Sequence, residues 1–266
     1  MLGSPPRWRN STAIDTPSPM LGTSLGPGAA TRIGFLGRAP LIESWLPGNP
    51  QSLLEVGCSW GYLIASMGQA ARLRVGLDVN RQDLRSGAAR YGKVTRFLCS
   101  AAETLPFRSE IFDALIMSEV LEHTIDEKKS VAEAARVLKP GGVAVVTVPH
   151  RGPMEVTDLT NWKYRFSRLH RVVYGWKHHA DYSRFVPVSS YHRHYTVSAL
   201  LKLLQPQFEV TDVRRTGFLL FALADYAAFL RSPKLARVLF KIAALDYMVG
   251  YAWLSYNLAV RLVRTK

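Results

Sequence analysis

The residues with the strongest chemical implication are Glu55, Gly57 and Gly61 in Leu53-Leu-Glu-Val-Gly-Cys-Ser-Trp-Gly61, and Asp78 closing Val75-Gly-Leu-Asp78. One apolar run breaks into glycines, and a second apolar run ends in a carboxylate. Glycine permits tight backbone turns and lets a ligand approach the main chain closely. A carboxylate about 20 residues after such a turn, at the next strand end, can accept hydrogen bonds from two ribose hydroxyls. The spacing is Glu-x-Gly-x-x-x-Gly, which differs from the Gly-x-Gly-x-x-Gly of dinucleotide binders. Three histidines, His123, His150 and His194, add a second kind of chemistry. An unperturbed imidazole titrates near neutrality and can take a proton from a phenol or hydroxyl. Each can equally be a hydrogen-bonded part of the scaffold. No Cys/His spacing predicts a metal site, and Cys58 and Cys99 offer no disulfide framework.

Positioning these residues takes alternating strands and helices, and the hydrophobic pattern supplies them. Strands are predicted at Ser52–Val56, Leu73–Leu77, Lys93–Leu98, Asp113–Met117, Val143–Val148, Phe208–Arg214 and Asn257–Arg264. Helices are predicted at Ala39–Leu46, Tyr62–Ala71, Gln82–Tyr91, Asp126–Leu138 and Val197–Leu204, the last with Thr196 as N-cap. Val131, Ala134, Ala135 and Leu138 share one helical face. Lys139-Pro-Gly-Gly142 then stops that helix. Val143–Val148 is apolar throughout, as a strand buried on both faces requires. The alternation predicts an α/β fold with a mostly parallel sheet and helices on both faces.

Taken together, four segments resemble the class I S-adenosylmethionine (SAM)-dependent methyltransferases, in the family's order. They are the glycine turn with Asp78, Ala101-Ala-Glu-Thr-Leu-Pro-Phe107, Phe112–His123, and Leu138-Lys-Pro-Gly-Gly142. The resemblance implies a Rossmann-like sheet with its last strand antiparallel, and SAM as cofactor. It implies that Gly57 and Gly61 let the loop reach the methionyl part, while Glu55 orients that loop or meets the ammonium. Asp78 would grip the ribose, Ala102 would offer its N–H to adenine, and Glu103 would help frame the ring. Ser118, at the exit of the fourth strand, joins this cofactor set. Two positions depart from the family pattern: Ser59 stands where a glycine is usual, and Ala101 where an aspartate is frequent. Packing roles are expected for Cys58 and Trp60, and Asp113 begins a strand away from the ligand edge. Tyr191-His-Arg-His-Tyr-Thr196 is similar to a His-containing segment of quinone-biosynthesis methyltransferases. That places His194 and His150 first among candidate bases, then His123, with Glu122 anchoring the loop.

Charge divides the chain. Residues 1–150 carry sixteen Lys/Arg against thirteen acids, and residues 151–266 carry eighteen against seven. The basic half therefore faces anionic partners: a phosphorylated or sugar-bearing acceptor, an anionic membrane surface, or RNA. Residues 1–30, rich in Pro, Ser, Gly and Thr, read as a disordered tail before one domain over 31–266. Two inserts stand out in that domain. Residues 151–195 hold nine aromatics and eight Lys/Arg and suit an acceptor lid, or an auxiliary packing element. Residues 219–256 read as an apolar helical insert suited to a monotopic membrane contact, or to packing. Ile242–Val260 approaches the length of a bilayer span, but Asp246 interrupts it and the last strand needs its end. The cysteine usage suits a reducing cytoplasm, and Arg7 and Arg9 have no apolar run behind them to form a secretory signal. The expectation is methyl transfer to a small-molecule or lipid-linked acceptor, with O-methylation favoured. An RNA methyltransferase is a rival disfavoured by Ser118-Glu-Val-Leu, which lacks the Asn/Asp-Pro-Pro-aromatic exit of many N-methylating enzymes. A non-catalytic SAM-fold binding partner is the other.

Overall fold

The computed structural model describes residues 29–67, 71–157, 193–218 and 233–265. The tail over 1–28, most of the basic aromatic insert (158–192) and part of the second insert (219–232) lie outside them. Seven strands form one sheet: β1 (Ser52–Val56), β2 (Leu73–Asp78), β3 (Arg96–Cys99), β4 (Phe112–Ser118), β5 (Leu138–Pro149), β6 (Phe208–Thr216) and β7 (Asn257–Arg264). Their order is β3-β2-β1-β4-β5-β7-β6. β1 pairs in parallel with both β2 and β4, and β7 runs antiparallel between β5 and β6. The winding reverses between β1 and β4, and an open sheet presents its ligand crevice at the carboxyl ends beside such a reversal. Gly57, Asp78, Ala102, Glu119 and His150 all follow or end strands on that edge.

Each predicted strand is present; β1 and β7 keep the expected bounds and the others shift at one or both ends. Residues 93–95 are a turn, because the amides of Val94 and Thr95 both bond the Tyr91 carbonyl. β5 starts five residues earlier than expected. Its register against β4 jumps from Phe112↔Leu138 to Ala114↔Val143, so Lys139–Gly142 bulges within a strand, with Gly141 at φ 75.

The helices are α1 (Ala29–Trp45), α2 (Tyr62–Ser66), α3 (Arg81–Tyr91), α4 (Glu127–Val137), α5 (Val197–Leu204) and α6 (Pro233–Met248). α1 begins ten residues before the predicted start and contains Pro40. An interior proline forfeits a helical hydrogen bond, and the burial of Leu41, Ile42 and Trp45 offsets that loss. α2 is shorter than expected, since Met67 turns extended and buries its side chain.

Apolar cores fill both faces of the sheet. Leu41, Leu53, Ile64, Ile116, Val145 and Tyr247 belong to the face covered by α1, α2 and α6. Leu54, Leu115, Val131, Ala134, Leu200 and Val260 belong to the face covered by α4 and α5. The apolar run from Ile242 is divided between the end of α6 and β7. No helix among the described residues is long and apolar enough to cross a membrane.

Candidate active site

The loop from β1 to α2 is set by backbone geometry. Gly57 and Gly61 have φ of 75 and 73. A Cβ on Gly57 would lie 2.3 Å from Val120 Cγ2, and one on Gly61 would lie 2.4 Å from the Phe97 ring. No side chain fits either position. Leu77 at the end of β2 accepts from the amides of both Gly57 (2.7 Å) and Cys58 (2.9 Å), which clamps the loop over β2. Between the glycines Ser59 sits at φ 47, left-handed backbone that costs a non-glycine residue about 1–2 kcal/mol. Two carboxylates hold it there. Its amide donates to Asp78 Oδ2 and its hydroxyl to Asp83 Oδ2, both at 2.8 Å. Burial raises the Asp83 pKa, the Ser59 hydroxyl opposes that rise, and Asp78 adds to it.

Asp78 also accepts from the Asn80 amide, through Oδ1 at 2.8 Å. A carboxylate has about four acceptor positions, so two remain for an incoming hydroxyl pair. Glu55 is buried beneath the loop, and its Oε2 accepts from the Ile64 amide in the first turn of α2 (2.8 Å). Burial pushes its pKa up to about 8, against the lowering effect of that amide and with a further push from Asp78. The bond to the Ile64 amide ties the end of β1 to the first turn of α2. Cys58 is buried against Gly76, and burial keeps its thiol protonated.

The remaining cofactor candidates separate. Ala102 is buried on the turn after β3. Glu103 Oε1 accepts from the amides of Ile125 (2.8 Å) and Asp126 (3.4 Å), so that carboxylate ties the turn to the start of α4. Ser118 is buried with its hydroxyl 3.0 Å from Thr147 Oγ1. Asp113, at the opposite edge, accepts from Ser52 and pairs with Lys139.

Ser118 opens onto a polar cluster that the sequence did not reveal. Glu119, at φ 56, accepts from Thr147 Oγ1 (2.9 Å) and from Asn257 Nδ2 on both oxygens (3.0 Å), and pairs with Arg38 of α1 (3.3 Å). Tyr247 of α6 is buried close by, and burial raises its hydroxyl pKa to about 12. Four stretches of chain far apart in sequence thus converge at the β4 exit. Only the finished sheet brings them together.

Two of the three candidate histidines lie in one neighbourhood. Tyr195 pairs in parallel with His150, its amide donating to the Pro149 carbonyl (2.9 Å), so residues 193–195 extend the sheet edge beside β5. His194 is consequently a neighbour of His150, and its charge helps lower the His150 pKa. Burial is the largest cause of that lowering and Arg215 contributes, while the bond to Ser255 opposes it. His150 Nδ1 lies 3.1 Å from the Ser255 carbonyl and 2.8 Å from its hydroxyl. A carbonyl oxygen only accepts, so the bond to it forms with the proton on Nδ1 and the lone pair on Nε2, whereas the hydroxyl can serve either tautomer. Ser255 carried no signal in the sequence: it lies 105 residues away, on the turn before β7. Arg193 fastens the same segment by donating to the carbonyls of Glu122 and Thr124 and pairing with Glu127 (3.2 Å), to which the Tyr195 hydroxyl also donates. His123 ends a short 3₁₀ turn, Leu121–His123, after β4. Among the described residues no cluster could hold a metal ion.

Residues 54–146 match the family profile described as a methyltransferase domain. A probable SAM-dependent methyltransferase of Mycolicibacterium smegmatis is 31% identical over 141 residues, covering 52% of this chain and 54% of the relative. A ubiquinone biosynthesis O-methyltransferase of Parvibaculum lavamentivorans is 27% identical over 128 residues, covering 47% and 51%. The chain therefore spans about half the length of these curated relatives. A solved SAM-dependent methyltransferase of Thermotoga maritima superimposes with a TM-score of 0.57 at 18% identity, covering 89% of this chain and 91% of that one. Its likeness concerns the fold, while the family profile covers the glycine turn, Asp78 and the β4 exit. With the clamped loop and Asp78, these matches make residues 54–146 similar to a SAM-dependent methyltransferase domain.

Proposed function

We propose that the protein transfers a methyl group from SAM to a small-molecule or lipid-linked acceptor, with an acceptor oxygen as the favoured target. The observation that carries the reading is the anchoring of the His150 ring at the β5 exit, with both oxygens of Ser255 on Nδ1 and Nε2 left for the acceptor. Relatives named as ubiquinone biosynthesis O-methyltransferases support an oxygen target. The cofactor's chemistry is that of a sulfonium methyl donor carrying a good leaving group. The residues present fit it: Asp78 keeps two acceptor positions, and the glycine turn exposes main chain at the reversal of the sheet. Asp78 holds the ribose, and the Gly57–Gly61 loop receives the methionyl end. His150 accepts the acceptor's proton at Nε2, while Ser255 orients the ring through Nδ1. Much of the acceleration comes from alignment and exclusion of water, so the base supplies only part of it.

Incubation with labelled SAM and a phenolic acceptor mixture, with an RNA transcript in parallel, tests the reading. Label is expected on phenolic oxygen and absent from RNA. Replacing His150 by Ala should lower turnover about 100-fold, within the usual range for a general base, without weakening SAM binding in calorimetry. Asp78→Ala should do the reverse first, weakening SAM at least about tenfold through lost charge-assisted hydrogen bonds. Label entering RNA alone, or no heat with SAM, would sink the proposal.

A further inference from the structure

α6 is apolar on two sides. Its inner side packs Ala243 and Tyr247 into the core beside α1. Asp246, on the same side, accepts from the Phe218 amide (2.8 Å) and from the Tyr251 hydroxyl. The outer side should be polar in a helix with a single core to serve. Instead Val238 and Leu245, two turns apart, are 53% and 70% exposed, and Val249 at the helix end is 50% exposed. Met248, at 39%, and Trp253 of the following 3₁₀ turn (Ala252–Leu254), at 64%, carry the apolar surface onward. Scattered exposed apolar residues need no explanation, but a stripe at helical spacing with a tryptophan beyond its end does.

The charges around this stripe are predominantly basic. Lys234 and Lys241 occupy helix positions one turn to either side of Val238. From Pro233 to Tyr256 the only acid is Asp246, and it is turned inward. At the far end, Arg215 and Arg214 of β6, the latter 4.0 Å from Asp212, are exposed and line a groove of about 660 Å³ with Val197, Val213, Met248 and Gly250. Gly250 pairs with Thr216, the last residue of β6, which sets the stripe's end at the sheet's ligand edge. The next turn carries Ser255, the partner of His150.

From this placement we infer that the outer stripe of α6, with Trp253 and the arginine-lined groove, rests on an anionic lipid bilayer. Charge decides the occupant. A second copy would bring an identical basic surface, on a chain of net charge +14, against this one. An anionic leaflet instead attracts each lysine and arginine, takes the apolar stripe below its headgroups, and suits tryptophan at the interface. The helix lies on the surface rather than crossing it. A sheet edge held against lipid would admit an acceptor directly from the membrane. The binding itself does not depend on the methyl-transfer reading and is tested without catalysis.

The experiment is sedimentation of the full chain with vesicles of phosphatidylcholine alone, or with about 30% phosphatidylglycerol, at about 0.1 M and 0.5 M salt. Binding is expected to be at least about tenfold tighter to the anionic vesicles and to weaken strongly at the higher salt. A Leu245→Ser/Trp253→Ser variant should lose at least about tenfold in affinity with an unchanged melting temperature. Lys234→Glu/Lys241→Glu should lose a comparable factor, which protects the test should the first variant fold poorly. Equal binding to neutral vesicles, no binding, or full binding by both variants overturns the inference. So does a dimer in sedimentation velocity that the first variant dissolves.

Discussion

Glu55 is fully buried next to the loop it organises, with a pKa raised from 4.5 to about 8. Between those values the folded chain keeps a proton that the unfolded chain has released. Its contribution is thus fully present below about pH 4.5 and declines as pH rises toward 8. Glu55→Gln keeps an acceptor for the Ile64 amide and removes the titration. The variant's stability, measured by urea unfolding, should fall less steeply than the parent's by about 1.4 kcal/mol per pH unit over that range. Identical slopes would show that Glu55 titrates normally. His150 behaves oppositely, since its lowered pKa keeps it neutral into mildly acidic pH. The acidic limb of turnover should therefore fall below pH 6.5, the ordinary histidine value. At this scale the sequence was legible where chemistry demands a residue type at a fixed offset. Gly57, Gly61, Asp78 and Glu55 stand within 24 residues of one another and mark themselves. Ser255 and Asn257 did not, because their partners lie as far as 138 residues away and only tertiary structure pairs them. Ser59 marks itself as a departure from the family's glycine, but the two carboxylates that secure it cannot be read from residue type alone.

Elements transmit the site's geometry through the Arg38–Glu119 pair. α1 crosses the sheet face and inserts Arg38 against a carboxylate at the β4 exit, with side-chain exposures of only 8% and 14%. Removing one member of a buried pair strands the other charge, at a cost of about 3–5 kcal/mol. Arg38→Ala should destabilise by about that much, and adding Glu119→Gln should recover part of the loss in a double-mutant cycle by urea unfolding. Additive effects would show that the pair contributes nothing. A consequence for the loop follows, since Val120, next to Glu119, fills the space that a Cβ on Gly57 would need. Strand existence and order of type were readable because each strand carries a short apolar run between turn residues. Helix ends were less so: packing of Leu41, Ile42 and Trp45 keeps α1 helical through Pro40, contrary to local propensity.

Across the whole molecule, charge and connectivity are arranged along one axis. The half that builds β1 to β5 is near balance, and the half that supplies β6, α6 and β7 carries the surplus of basic residues. The seventh of the described strands in chain order, β7, is the one that lies between β5 and β6. During synthesis, strands β1 to β5 can associate as a parallel unit as they emerge. β6 has no neighbour until residues 257–264 arrive more than forty positions later. Through that interval the nascent chain presents two unpaired strand edges, on β5 and on β6, each able to recruit another copy. A chain stopped before Asn257 should keep those edges permanently and accumulate as insoluble protein, whereas one stopped after Arg264 should not. Soluble, monomeric product from the shorter chain would show that the edges are protected by other means. The placement of one antiparallel strand thus makes the arrival of residues 257–264 the step that closes the sheet.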